Sequence, residues 1–273
     1  MEPFQQVSNR FFELSEWTRK NPQLRVGFTT RLDGVSSPPY DSLNLGLHVG
    51  DDEQAVIQNR ELLAAELQVP LSQWVFAEQI HGSEVVHVTA HDRGAGAFER
   101  QSALKGADGL YTSDQGILLC SLYADCVPLY FYAEHRGAIY IGLAHAGWKG
   151  TVGQIGAKLV HAWTERFYLP KEAIHAAIGP SISCEAYEVD QVVIDQIDRA
   201  LSSEATRPYV KREEGRYQLD LKACNEQLLI DAGLEKAQIL VSSHCSAQSN
   251  LLFSHRHEGG KTGRMMSFIG VFS

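Results

Sequence analysis

Short, nearly uninterrupted apolar runs alternate with longer stretches in which apolar residues recur every three or four positions. Residues 117–123 and 138–144 are of the first kind, and such runs, closed by turn residues, predict strands buried on both faces. Residues 25–30, 74–79, 84–89, 173–178, 239–242 and 265–271 read as further strands. Residues 51–67 predict a helix: Asp51 and Asp52 cap it and offset its dipole, Val56, Leu63 and Leu67 form a stripe, and Pro70 follows. Residues 151–167 predict a second, with Val152, Ile155, Leu159, Val160 and Trp163 at near-helical spacing and Pro170 beyond. Residues 192–201 and 217–232 complete the helices, the last stopping at Gly233. Residues 91–106, polar and glycine-rich, predict a loop able to cover a pocket, and Gly179-Pro180-Ser181-Ile182 predicts a turn. With no repeat, low-complexity tract or linker to divide it, the sequence is expected to form one domain over residues 1–273.

Composition narrows the functions. A chain of 273 residues with 44% hydrophobic content has enough material for a sizeable core. Its formal net charge of −9 argues against nucleic acid or an anionic membrane as partner, since either requires a basic face. The five cysteines, Cys120, Cys126, Cys184, Cys224 and Cys245, are scattered and lack close pairing, so free thiols in a reducing compartment are expected. The first residues have neither a basic start nor an apolar core, and no run reaches the roughly 18 apolar residues of a membrane helix. The expected location is therefore the cytoplasm.

Candidate chemistry gathers at strand ends. The run 138–144 stops at His145, followed by the glycine-bounded turn Ala146-Gly147-Trp148-Lys149-Gly150. The run 117–123 leads into Asp125 and Cys126 ahead of Pro128. Cys126 has the chemistry of a nucleophile or metal ligand, and equally that of an inert buried thiol. His145 suits a base, a co-ligand or a residue closing the turn. Of eleven histidines, His81 stands out because a strand precedes it and Gly82 follows. Lys149, Gly150 and Thr151 offer a cation, free N–H groups and a hydroxyl to an anion, with a plain helix cap as the alternative.

Several motifs carry a resemblance. Arg31-Leu32-Asp33-Gly34-Val35-Ser36, residues 42–52, Gln79-Ile80-His81-Gly82, Ala107-Asp108-Gly109, Ala124-Asp125-Cys126-Val127-Pro128, residues 145–150, Ile178-Gly179-Pro180-Ser181-Ile182, Phe253-Ser254-His255-Arg256 and Thr262-Gly263-Arg264 occur in that order. Together they resemble the YfiH-type family, whose members carry the names multicopper polyphenol oxidase, laccase domain protein, peptidoglycan editing factor and purine nucleoside phosphorylase. The resemblance implies a single YfiH-like domain of α+β class, with mixed β-sheets packed together and flanked by helices. It implies that His81, Cys126 and His145 bind one zinc ion. Two imidazoles, a thiolate and an open position suit a catalytic rather than a structural zinc, and copper would bind the same donors in vitro. The implied activity is phosphorolysis of adenosine, inosine, guanosine and methylthioadenosine to base and (methylthio)ribose 1-phosphate, with hydrolytic deamination of adenosine to inosine.

In this reading Cys126, His145 and Asp125 are catalytic, Asp125 as proton shuttle, with orienting a ligand or capping a turn as its alternative roles. Asn44, Arg60, Lys149 and Arg256 are expected to contact the purine nucleoside or phosphate. Lys149 stands where many family members have arginine, His257 follows Arg256 where a second arginine is frequent, and Ser183-Cys184-Glu185-Ala186-Tyr187 replaces a cysteine pair before the tyrosine. Lysine keeps the charge but loses the bidentate fork. Three alternatives differ in class. A copper polyphenol oxidase would need clustered histidine pairs, and the chain has one H-x-H, at His255 and His257. A hydrolase with Cys126 as nucleophile, including a peptidoglycan-precursor editing enzyme, follows from the family's fold likeness to the deamidase domain of cytotoxic necrotizing factor. A noncatalytic binding protein would leave the polar strand ends without a role.

Overall fold

A computed structural model describes residues 1–273. In chain order come β1 (Phe4–Gln6), β2 (Phe11–Leu14), α1 (Ser15–Lys20), β3 (Leu24–Thr29), α2 (Glu53–Leu67), β4 (Trp74–Phe76) and β5 (Val85–His87). The central run is β6 (Gly109–Thr112), β7 (Leu118–Tyr123), β8 (Val127–His135), β9 (Ala138–Ala146), α3 (Trp148–Val152), α4 (Ile155–Arg166) and β10 (Ile174–Ile178). The chain finishes with β11 (Glu188–Asp190), α5 (Gln191–Ala200), β12 (Tyr209–Lys211), β13 (Arg216–Leu219), α6 (Leu221–Asp231), β14 (Ile239–Val241) and β15 (Met265–Val271).

One mixed sheet has the order β1-β2-β3-β15-β7-β4 and a second β14-β10-β8-β9-β6-β5, with β11-β13-β12 as a small third. The side-chain period of two assigns each strand to two cores. In β7, Leu119 and Tyr123 enter the core between the large sheets, whereas Leu118 and Cys120 join Leu63, Leu67 and Trp74 beneath α2. In β9, Ile141 and Leu143 face the inter-sheet core, and Ala144 and Ala146 face the core shared with α4 and α6. The α+β class is thus realised as two packed sheets with helices on their outer faces. No helix is long and apolar enough to cross a membrane.

Four readings of the pattern need correction. The helix read over 217–232 begins only at Leu221, where the Asp220 side chain accepts from Ala223 N; Tyr217 and Leu219, buried at alternate positions, belong to β13. The segment 151–167 is two helices, because Gln154 adopts a left-handed φ of 56° after Gly153, whose missing side chain leaves room for Ser83. Strand β4 stops at Phe76, after which the Gln79 amide continues the pairing by donating to Leu122 O and accepting from Leu122 N. Strand β8, missed behind Pro128, runs centrally: β10 pairs with it only from Leu129 onward, so proline's missing N–H lies past the end of that ladder. The hairpin β8–β9 closes through Arg136 and Gly137, with φ of 50° and 79°.

Candidate metal centre and cleft

Topology brings distant residues to one edge. Strands β4 and β7 pair parallel and so leave the first sheet in the same direction. Both continue into the second sheet, β4 through the loop carrying His81 to β5, and β7 through Asp125 and Cys126 to β8. Strand β9 then returns antiparallel to β8 with His145 opposite Pro128. His145 falls on the inter-sheet face, 5.4 Å ring to ring from Tyr123 and 4.8 Å from His81. One nitrogen of each histidine and the Cys126 sulfur lie within 4.8 Å of one another.

Asp108, immediately before β6 and 1% exposed, organises this cluster. Its Oδ1 accepts from His81 N at 3.0 Å and from His145 Nδ1 at 2.8 Å. Its Oδ2 accepts from Ile80 N at 3.1 Å and Gly82 N at 2.7 Å, and its carbonyl accepts from His145 N at 2.7 Å. The carboxylate holds His81 at its left-handed φ of 58° and leaves Nε2 of His145 free to ligate. Burial would raise the Asp108 carboxyl, but donation from His145 and the amides holds it below its ordinary value. Burial would also raise the Cys126 thiol, yet His145 and His81 bring it down to about 6. In return the Cys126 charge and Asp108 lift His145 to about 9 against the opposing effect of burial. A side chain at Gly147 would stand 3.1 Å from Cys126 Sγ and 3.4 Å from His81 Cδ2, so glycine there keeps the cluster clear.

The donor set fits zinc. Two imidazoles and a readily ionised thiolate are borderline-soft ligands, three in number, with the tautomer of one fixed by a carboxylate. The cluster closes one side of a cavity of about 320 Å³, whose wall includes Leu47, His48, Phe76, Glu78, Gln79, Arg100, His255 and Arg264. Gly96, Arg100 and Ala103 belong to that wall, as expected of the loop over 91–106.

The other nominated residues take different places. Asn44 is fully buried: its amide donates to Asp51 Oδ2 and its oxygen accepts from Gly46 N and Arg264 N, which ties the 44–51 loop to the approach of β15. Arg60 borders the cavity with a guanidinium committed to the carbonyls of Leu45, Gly96 and Ala97. Asp125 sits at a φ of 89°; its Oδ1 accepts from Ser246 Oγ at 2.6 Å and its Oδ2 from Arg256 N at 2.7 Å. Both partners lie outside the His81, Cys126 and His145 cluster. Lys149 is exposed, its ammonium 5.7 Å from the Trp148 ring centre, and Arg256 donates to Glu188 O and stacks on Tyr187; neither borders the cavity. Sequence reasoning assigned no role to Asp108, Arg100, His48 or Arg264. His48, Asp108 and Arg264 lie in motifs, and only the three-dimensional structure shows what they touch.

Fold and cluster together define an α+β protein with a two-imidazole, one-thiolate donor set beside a cleft. The chain belongs to the family described as multi-copper polyphenol oxidoreductase laccase, whose model matches residues 25–272. It is 45% identical over 273 residues to purine nucleoside phosphorylase YlmD of Bacillus subtilis (strain 168), covering 98% of this chain and 97% of that one. Among solved structures it resembles the hypothetical protein YfiH of Bacillus licheniformis, with a TM-score of 0.95 and 45% identity over 99% of this chain and 100% of that one. YlmD from Geobacillus stearothermophilus is similar, with a TM-score of 0.95 and 42% identity over 100% of both chains.

Proposed function

We propose that the protein is a zinc-dependent purine nucleoside enzyme. It phosphorolyses adenosine, inosine, guanosine and methylthioadenosine and deaminates adenosine hydrolytically to inosine. The observation that carries this reading is the His81, Cys126 and His145 cluster beside the cavity, ordered by Asp108, in a chain 45% identical to a protein named purine nucleoside phosphorylase. A cavity of about 320 Å³ with Phe76 and Leu47 for a base and several polar groups for a ribose suits a nucleoside.

In phosphorolysis a phosphate oxygen bonds to ribose C1′ as the bond to purine N9 breaks, and the departing electron pair is neutralised by a proton on the base. In deamination a water oxygen adds at C6 and ammonia leaves. Zinc, when bound, would supply Lewis acidity beside the reacting atoms. His81, Cys126 and His145 would hold it, and Asp108 would keep His145 Nε2 directed at it. Gln79, locked to β7 by both of its amide bonds, presents a fixed polar wall to the substrate.

A cysteine hydrolase, including the peptidoglycan-precursor editing enzyme, draws on one specific observation, the placing of Cys126 Sγ and a His145 ring nitrogen within 4.8 Å, where the imidazole draws the thiol down. A third donor, His81, in the same cluster favours a metal over a free nucleophile. Copper polyphenol oxidation draws support from the family description alone, since these three donors form a single mononuclear set.

Metal analysis of protein purified without added metal, followed by chromatography of nucleoside products with and without phosphate, tests the reading. About one zinc per chain is expected, with ribose 1-phosphate formed only when phosphate is present and inosine formed from adenosine in its absence. Cys126→Ala should lose both metal and turnover, whereas Cys184→Ala should change neither. A fully active metal-free preparation would overturn the proposal, and cleavage of serine-containing muropeptide precursors in place of nucleosides would put the editing hydrolase first.

A further inference from the structure

We propose that the arginine side of the cavity, formed by Arg264 and Arg100 with the buried charge of Arg60 behind them, is the seat of a phosphate oxyanion. As the place of the cosubstrate, this rests on the nucleoside phosphorylase reading; as a binding site, it stands on charge and geometry. The cavity wall holds three guanidinium groups against one carboxylate, Glu78, and the readily ionised Cys126 thiol, in a protein whose net charge is −9.

Arg60 is 1% exposed, stacks on Phe76 at 4.3 Å, and hydrogen-bonds only to neutral carbonyls. A buried cation without a counter-charge is costly and favours an anion nearby. Arg264 spends Nη1 on the carbonyls of Thr262 and Gly263, which leaves its Nε and Nη2 edge without a protein acceptor. That edge can donate two parallel bonds to one phosphoryl group. Arg100 lies at the rim, 3.8 Å from Glu78, and Glu78 is also met by Lys105 at 3.5 Å. Glu78 is therefore shared between two cations at the rim; Arg264, further in, is faced by Cys126 and by Asp125, whose carboxylate already accepts from Ser246 Oγ and Arg256 N.

His48 sits among the same cations. Burial, together with Arg264, Arg100 and Arg60, pushes its imidazole down to about 4, so it is neutral at pH 7 and adds a hydrogen-bonding group without adding charge. Gly46 makes the arrangement possible, because a side chain there would meet Arg264 Cγ at 2.9 Å and His48 Cε1 at 3.3 Å. The cations that the sequence nominated, Lys149 and Arg256, lie outside this wall.

The same chemistry would accept inorganic phosphate or the phosphoryl group of a nucleotide, and titration calorimetry of the zinc-loaded protein separates them. Inorganic phosphate and adenosine 5′-monophosphate are titrated at constant ionic strength into wild type, Arg264→Gln, Arg100→Gln and Lys149→Ala. Saturable binding of inorganic phosphate is expected. It should weaken about tenfold or more in Arg264→Gln, severalfold in Arg100→Gln, and remain as in wild type in Lys149→Ala. Binding of the monophosphate alone would overturn the assignment to cosubstrate. Unchanged phosphate affinity in Arg264→Gln, or its loss in Lys149→Ala, would overturn the site.

A second measurement avoids the question of whether the variants fold. Phenylglyoxal modification of the wild type, mapped by peptide mass spectrometry, should show phosphate protecting Arg264 and Arg100 but not Arg256, and equal labelling with and without phosphate would count against the site. Phosphate binding at these arginines without nucleoside phosphorolysis would sink the functional reading and leave the site standing. Phosphorolysis whose phosphate dependence is untouched in Arg264→Gln would do the reverse.

Discussion

Replacing Asp108 by asparagine tests whether one carboxylate orders the His81, Cys126 and His145 donor cluster and its proposed zinc. Each Asp108 oxygen serves two donors: Oδ2 serves Ile80 N and Gly82 N, and Oδ1 serves His81 N and His145 Nδ1. Asparagine keeps the shape but has one acceptor oxygen, so either amide orientation leaves two donors facing an NH₂ group. At about 1 to 3 kcal/mol for each unsatisfied buried donor, with partial relaxation, roughly 2 to 4 kcal/mol of stability is lost. For a chain of this size that is a fall in Tm of the order of 5 to 10 °C. The effect on the metal separates positioning from general damage. When the amide turns its NH₂ to His145, Nδ1 can no longer donate there, and the favoured tautomer places the proton on Nε2, the nitrogen that must ligate. Zinc affinity should fall about 10- to 100-fold, equivalent to roughly 1.4 to 2.7 kcal/mol. Competition against a chromophoric chelator at 25 °C measures it on folded protein, with circular dichroism to establish folding. Wild-type zinc affinity in folded Asp108→Asn would refute the reasoning, since the His145 contact at 2.8 Å would then have no bearing on ligation.

Other perturbations probe the surrounding structure. Gly147→Ala places a methyl group 3.1 Å from Cys126 Sγ, and should weaken zinc binding severalfold in the same chelator assay while barely moving the Tm. Arg60→Lys cannot reach the carbonyls of Leu45, Gly96 and Ala97 together. It should cost about 3 kcal/mol or more in denaturant unfolding and speed amide exchange over residues 94–106. Glu258 is partly buried, which would raise its carboxyl, but Thr262, Ser254 and Arg31 hold it below the ordinary 4.5. A depressed acid contributes stability that is complete above its unfolded value and lost as pH falls through the folded one. Stability should therefore drop as pH falls below about 4.5, and Glu258→Gln should flatten that acid limb in thermal melts taken from pH 3 to 7.

What could be read from the chain and what could not divide along physical lines. The strands at 117–123 and 138–144 were legible because burial on both faces leaves an apolar run that polar neighbours bracket, and their ends correctly pointed to Cys126 and His145 as strand-edge residues. The break at Gln154 was not, since a left-handed residue after glycine leaves the 3.6-residue apolar spacing almost undisturbed. Nor was β8, because Pro128 argues against a central strand unless one knows that β10 stops pairing at Leu129. The union of His81 with Cys126 rests on parallel pairing of β4 and β7, a contact between segments more than forty residues apart that leaves no local pattern. The family resemblance supplied that ligand set where spacing could not.

The nominated cations show the same boundary from the other side. Lys149 follows a candidate ligand closely in sequence, yet the helical turn after Gly147 carries it away from the cavity. Arg264, 119 residues beyond His145 in numbering, is brought to the cavity wall by its place just before β15, beside the buried Asn44. In a fold whose two sheets exchange strands, neighbours in the cleft are set by the order of strands. Arg264 therefore reaches the cleft wall through strand order, while Lys149, four residues from His145, does not.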